Sequence, residues 1–202
     1  MRRFESKGGE STGHLVEWQH IGKVDSENSK YQKALKEAQI EEAKKTGKSG
    51  EYMRFRTAME LARQFSPYDP TNPDKPFARD IRIAFQDLLE SAGALKEEDR
   101  DLVRFFTAVG TPLDKFHGVD GWLEYLDPKD RKRYFATFDF TKNPNKQVYK
   151  SDIMVMEQDL PDRTLETKNY LEKIEEYAKE ALKKIVARQV QEQKIVLDRQ
   201  IK

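Results

Sequence analysis

Between Gly118 and Glu157 the hydrophobic pattern of this chain changes period, and that change limits the possible folds more than any other feature. Three short segments, "GVDGWLEYL", "RYFATFDF" and "SDIMVME", are rich in Val, Ile, Phe and Tyr and are bounded by Pro, Asn, Asp and Lys clusters. They read as three sequential strands, the first two joined by the loop "DPKDRK". Helical spacing holds on both sides of them. A small sheet set between helical runs means an α+β or α/β fold, in the order α-α-α-α-β-β-β-α.

The helices follow from spacing and from their stops. Ser29–Lys45 is a helix with a thin apolar face, ended by Gly47 and Gly50. Glu51–Phe65 carries a stripe of Met53, Thr57, Leu61 and Phe65. Pro67, Pro70, Pro73 and Pro76 then forbid regular structure and impose a rigid loop. Phe77–Ala92 has a broad apolar face of Ile81, Phe85, Leu88 and Leu89. Glu97–Val109 reads as a fourth helix, with acids in its first turn. After Pro161 a long helix starts near Thr164 and presents Leu171, Ile174, Ala178, Ala181 and Ile185. Run to Ile201, it would be about 55 Å long, so its last third should project or pack on a second chain.

The domain plan expected from this is a flexible arm and exposed helix over 1–50, a globular core over 51–187, and a projecting helix end over 188–202. The low mean hydropathy of -0.90 fits a chain with such appendages. Trp18, in the small apolar island of the arm, either folds back on its own domain or anchors another chain.

Composition excludes several chemistries. The chain has no cysteine, so disulfides, thiolate zinc sites and cysteine nucleophiles are ruled out. Three scattered histidines, His14, His20 and His117, argue against a histidine-rich metal site. No apolar run approaches the roughly 20 residues of a membrane span. "MRRFESKGGESTG" lacks the apolar core of a secretory signal, which suggests a soluble, cytoplasmic protein. The net charge of +1 gives no global sign of nucleic-acid binding. There is no P-loop spacing and no GxSxG elbow.

Two aspartates stand out against this background. Strand side chains alternate, so Asp120, Trp122 and Glu124 share one face of the first strand. Phe135, Thr137, Asp139 and Thr141 share one face of the second. An aspartate among aromatic strand residues is unfavourable, and burying it alone is costly. Two readings are open: strand-end acids that reach water or cap a loop, or two ligands of one site.

The order of elements around "GVDGW" and "FDFT" resembles the PD-(D/E)XK nuclease superfamily over roughly Ala78 to Ala187. The resemblance implies a restriction-endonuclease-like core in which Asp120 and Asp139 bind Mg²⁺ or Mn²⁺, with the Phe140 carbonyl as a third ligand. It also implies metal-assisted phosphodiester hydrolysis and a nucleic-acid substrate, DNA in the first instance. An acid from the preceding helix often joins such sites, and Glu90 or Asp87 would serve. The family's lysine lies two residues after the second acid, where this chain has Thr141. Lys142, on the opposite face, and Lys146, reaching back from "NPNK", are the replacements. Without either, the chain would be a nuclease fold that only binds. Lys129, Arg131, Lys132, Arg133 and Lys150 are basic residues that could track a phosphate backbone, or simply line a solvated turn. A reading of a different class is a non-catalytic adaptor in a larger complex, using the Trp18 region and the C-terminal helix for contacts with protein partners or a second copy.

Overall fold

The computed structural model describes residues 12–47, 50–143, 145–146 and 149–200. One mixed sheet has the spatial order β1-β2-β3-β4, with β1 Val103–Thr107, β2 Gly121–Leu126, β3 Arg133–Thr141 and β4 Ile153–Met156. The first three strands form an antiparallel meander, and β4 runs parallel to β3. Among the described residues six α-helices surround the sheet: α1 Thr12–Ile21, α2 Ser29–Thr46, α3 Phe55–Gln64, α4 Pro76–Ser91, α5 Pro112–His117 and α6 Thr167–Gln200. The α+β class expected from the pattern is what the chain adopts.

Both sheet faces are covered, which explains why β2 and β3 are apolar on both sides. On one face Phe105, Leu123, Ala136, Phe138 and Phe140 pack against Ile21 of α1, Phe77, Ile81 and Phe85 of α4, and Ile174, Ala178 and Ile185 of α6. Phe77 is the hub, with its ring 4.9 to 6.3 Å from those of Phe105, Phe138, Phe140 and Tyr177. On the other face Phe106 and Trp122 stack at 4.8 Å and meet Tyr31 of α2, Met59 and Ala62 of α3, and Leu113 of α5. Each fully buried Ile, Leu and Phe among these side chains contributes about 1.5–3 kcal/mol of burial.

The expected fourth helix is instead a 3₁₀ turn, Glu97–Leu102, followed by strand β1. The run "LVRFF" suits either state by periodicity alone. As a strand it sends Val103 and Phe105 to one core and Phe106 to the other. Its outer edge is covered: the Phe105 N–H donates to the Pro70 carbonyl, and Arg82 Nε donates to the Val103 carbonyl. The proline-rich loop thus shields an edge that would otherwise invite pairing.

Within the expected arm α1 packs on the core, while α2 keeps most of its surface exposed and docks through one side. Ile21 is fully buried and Trp18 lies against the same core, with the Lys23 ammonium 4.0 Å from its ring. Tyr31 and Glu42 of α2 are buried, the latter holding Arg54. The first eleven residues of the expected arm lie outside the described residues. Likewise α6 does not leave the domain at residue 188. Arg188 donates to the Phe135 carbonyl and pairs with Asp152, Gln189 donates to Asp127, and Glu192 pairs with Lys132. The helix follows the β2–β3 hairpin to its turn, and carries exposed Ile195 and Val196 beyond it.

Candidate carboxylate–lysine site

The end of the sheet where β2 begins and β3 finishes gathers the acids. Gly118, in left-handed conformation at φ 60°, ends α5 and turns the chain toward Asp120. Asp120 then clamps two strands. Its N–H donates to the Phe138 carbonyl at 2.9 Å, and its Oδ2 accepts the Phe140 N–H at 2.6 Å. Its carbonyl accepts the Ala108 N–H at 2.6 Å. Gly121 must follow it, because a Cβ there would lie 2.9 Å from the Phe106 carbonyl oxygen. Gly121 pairs with Phe138 across the ladder, so Asp120 sits beside Asp139. Both aspartates are 4% exposed.

Lys146 completes the group. Its Nζ lies 2.8 and 2.5 Å from the two carboxylate oxygens of Asp139. The loop that brings it there is a series of local turns: Thr141 Oγ1 accepts the Asn143 N–H, Asn143 Oδ1 accepts the Asn145 N–H, and the Lys146 N–H donates to the Asn143 carbonyl. Thr141, at the position where the resemblance implies a lysine, therefore starts the turn that delivers one from five residues on. Lys142 is not at the site. It points away and pairs with Glu157 at 3.4 Å, as strand alternation requires.

Further acids come from elements the sequence pattern did not implicate. Burial first, then the carboxylates of Glu17 in α1 and Asp114 in α5, push Asp120 well above the usual carboxylate range. Asp139 adds to this, and the Phe140 N–H works against it. Glu17 is itself buried. One turn on, His20 stacks 6.3 Å from the Phe140 ring, and burial lowers its pKa against the opposing pull of Glu157. The signal for Glu17 was a lone acid in the apolar island "HLVEW", read above as part of an arm.

Glu90 and Asp87 take no part. Both are bound by Arg100, Glu90 at 2.6 and 2.7 Å, at the far end of α4. Phe140 meets Asp120 through its N–H, and its ring is packed on Phe77. The basic hairpin loop is also distant. Arg133 stands six residues before Asp139 on β3, roughly 20 Å along a strand. Within that loop Lys132 pairs with Glu192 and Arg133 lies 3.7 Å from Glu124. Lys150 is closer to the acids: it shares the β3–β4 connection with Lys146, and its Nζ donates to the Phe116 carbonyl at 3.2 Å.

Among the described residues no three His, Asp or Glu side chains converge so as to hold a metal ion. Mg²⁺ needs only one or two protein carboxylates and keeps several waters; Asp120 and Asp139 are the two oxygen donors opposite each other at this end of the ladder. In the chain alone, the Lys146 ammonium supplies the cationic partner of Asp139. Comparison with protein-family models, curated proteins and solved structures finds no match for the chain.

Proposed function

We propose that the chain is a metal-dependent phosphodiester hydrolase of the PD-(D/E)XK kind, acting on nucleic acid, with Asp120, Asp139 and Lys146 at its centre. The observation that carries this reading is Lys146. A lysine absent from the expected strand position lies within hydrogen-bond reach of the second acid, 2.5 Å away. The mixed sheet order and the buried acid pair support it further.

In this reading Asp120 and Asp139 hold Mg²⁺ or Mn²⁺, which when bound acidifies a coordinated water and offsets charge on the phosphate. Lys146, at hydrogen-bond distance from Asp139, would position the attacking water and offset the phosphate charge. Among the described residues no helix is long and apolar enough to cross a membrane, and we place the activity in the cytoplasm.

The test is cleavage of labelled DNA and RNA with Mg²⁺ or Mn²⁺, comparing wild type with Asp120→Ala, Asp139→Ala and Lys146→Ala. Each substitution should cost at least about 10²-fold in rate, the scale of one electrostatic or acid–base group. No cleavage of either polymer by wild type with any divalent ion would sink the active-nuclease reading. The adaptor reading has one observation of its own: Val190, Ile195 and Val196 are exposed on the last turns of α6. Truncation after Glu192 should then release a partner or lower the mass in solution; an unchanged monomer counts against it.

A further inference from the structure

Next to the carboxylate site lies a run of aromatic rings that no step proposed above uses. Phe116, Tyr52, His117, Phe55 and Phe135 touch in that order, with ring centroids 5.4 to 6.0 Å apart. The run is anchored from below. His117 Nε2 meets the Met53 carbonyl at 2.8 Å, and Phe55 and Phe135 lean on the core under the sheet. Its outer end is open: Tyr52 is 58% exposed.

Cations flank the run at both ends. Lys115 Nζ lies 5.2 Å from the Phe116 ring, and the Arg188 guanidinium 4.5 Å from the Phe135 ring. Lys150 is bound to the Phe116 carbonyl. Lys115 does pair with Glu51, but both are exposed, and such a pair yields readily to another anion.

The run leads to the acids. His117 precedes Asp120 by three residues, and Phe135 shares a sheet face with Asp139, about 13 Å away along the strand. Lys146 and Lys150 belong to one loop that borders both.

We propose that Tyr52, Phe116 and His117, with Lys115 and Lys150, form a stacking platform for an unpaired nucleic-acid strand entering the carboxylate site. Rings accept the face of any base, while a basic border follows the phosphates. A duplex keeps its base faces stacked inside, so rings on a platform engage only unpaired bases. The assignment rests on the hydrolase reading for where the strand goes, and adds that the strand is single.

The experiment is fluorescence anisotropy of a labelled twelve-nucleotide DNA, single-stranded or as a duplex, and of the same sequence as RNA. The full-length Asp120→Asn chain in metal-free buffer gives binding without cleavage. The single strand should bind about 10-fold or more tighter than the duplex. Tyr52→Ala should weaken single-strand binding about 5- to 100-fold, and the ring-preserving Tyr52→Phe should retain it. Lys150→Ala should reduce the slope of log affinity against log salt by about 0.7. Equal affinity for strand and duplex, or an unchanged affinity in Tyr52→Ala, overturns the platform. Because binding is read without metal, a chain that binds single strands and cuts nothing keeps the platform and loses the hydrolase. A chain that cuts but shows no effect at Tyr52 does the reverse.

Discussion

Replacing Lys146 by alanine tests the geometry of the site without any substrate. The Asp139 side chain is 5% exposed, and Lys146 provides both of its ammonium contacts. Removing one member of a buried ion pair costs about 3–5 kcal/mol, because the other charge is left without compensation. Here the lysine side chain is 31% exposed, so water partly replaces it, and the cost falls to about 2–3 kcal/mol. For a chain of this size that lowers the melting temperature by roughly 4–12 °C. Calorimetry in metal-free buffer at pH 7 measures it. Lys146→Ala combined with Asp139→Asn should recover most of the loss, since the neutral amide needs no cation. Mg²⁺ should raise the melting temperature of Lys146→Ala more than that of wild type; at a hundred times the variant's dissociation constant the ion stabilises the variant by about 2.7 kcal/mol. A Lys146→Ala protein that melts within about 1 °C of wild type would refute the clamp, given the shift expected from breaking such a pair.

Asp120→Asn probes the crowded acid. Its raised pKa means that the folded chain keeps a proton which the unfolded chain releases near pH 3.9. That contribution to stability is complete below about pH 3.9 and is lost as pH rises through the folded value. Urea unfolding should therefore show Asp120→Asn gaining on wild type from pH 5 to pH 8; a constant difference would contradict it. Gly121→Ala pushes a methyl against the Phe106 carbonyl and the Phe105 ring, and should cost about 1–3 kcal/mol in the same assay. A neutral result would mean that β1 and β2 can separate there.

The two aspartates were legible because strand alternation carries information about faces, and the ladder put Trp122 opposite Thr137 and Asp120 beside Asp139 as alternation requires. The stripe from Ile174 to Ile185 marked α6 for the same reason. The misreadings occurred where periodicity is silent. Five residues at Val103–Thr107 are too few to separate a strand from a helical turn. Glu90 has helical reach toward the sheet but finds Arg100 first, a partner ten residues away that no pattern announces. Glu17 is brought in by the docking of α1, a tertiary event. The choice between Lys142 and Lys146 depended on successive side-chain turns through Thr141 and Asn143, and loops of that kind have no period to read.

The parallel pairing of β3 with β4 has a consequence for the order in which this molecule assembles. Asp120 and Asp139 belong to one hairpin, whose ends meet after a short loop closure. Lys146 lies seven residues after Asp139 and reaches it through the local turns at Thr141 and Asn143, whereas β4 joins β3 only once the connection 142–152 is closed. Local pairs form before crossovers, because a longer loop must lose more entropy before its contacts form. The carboxylate pair and its ammonium partner thus come together ahead of the parallel strand.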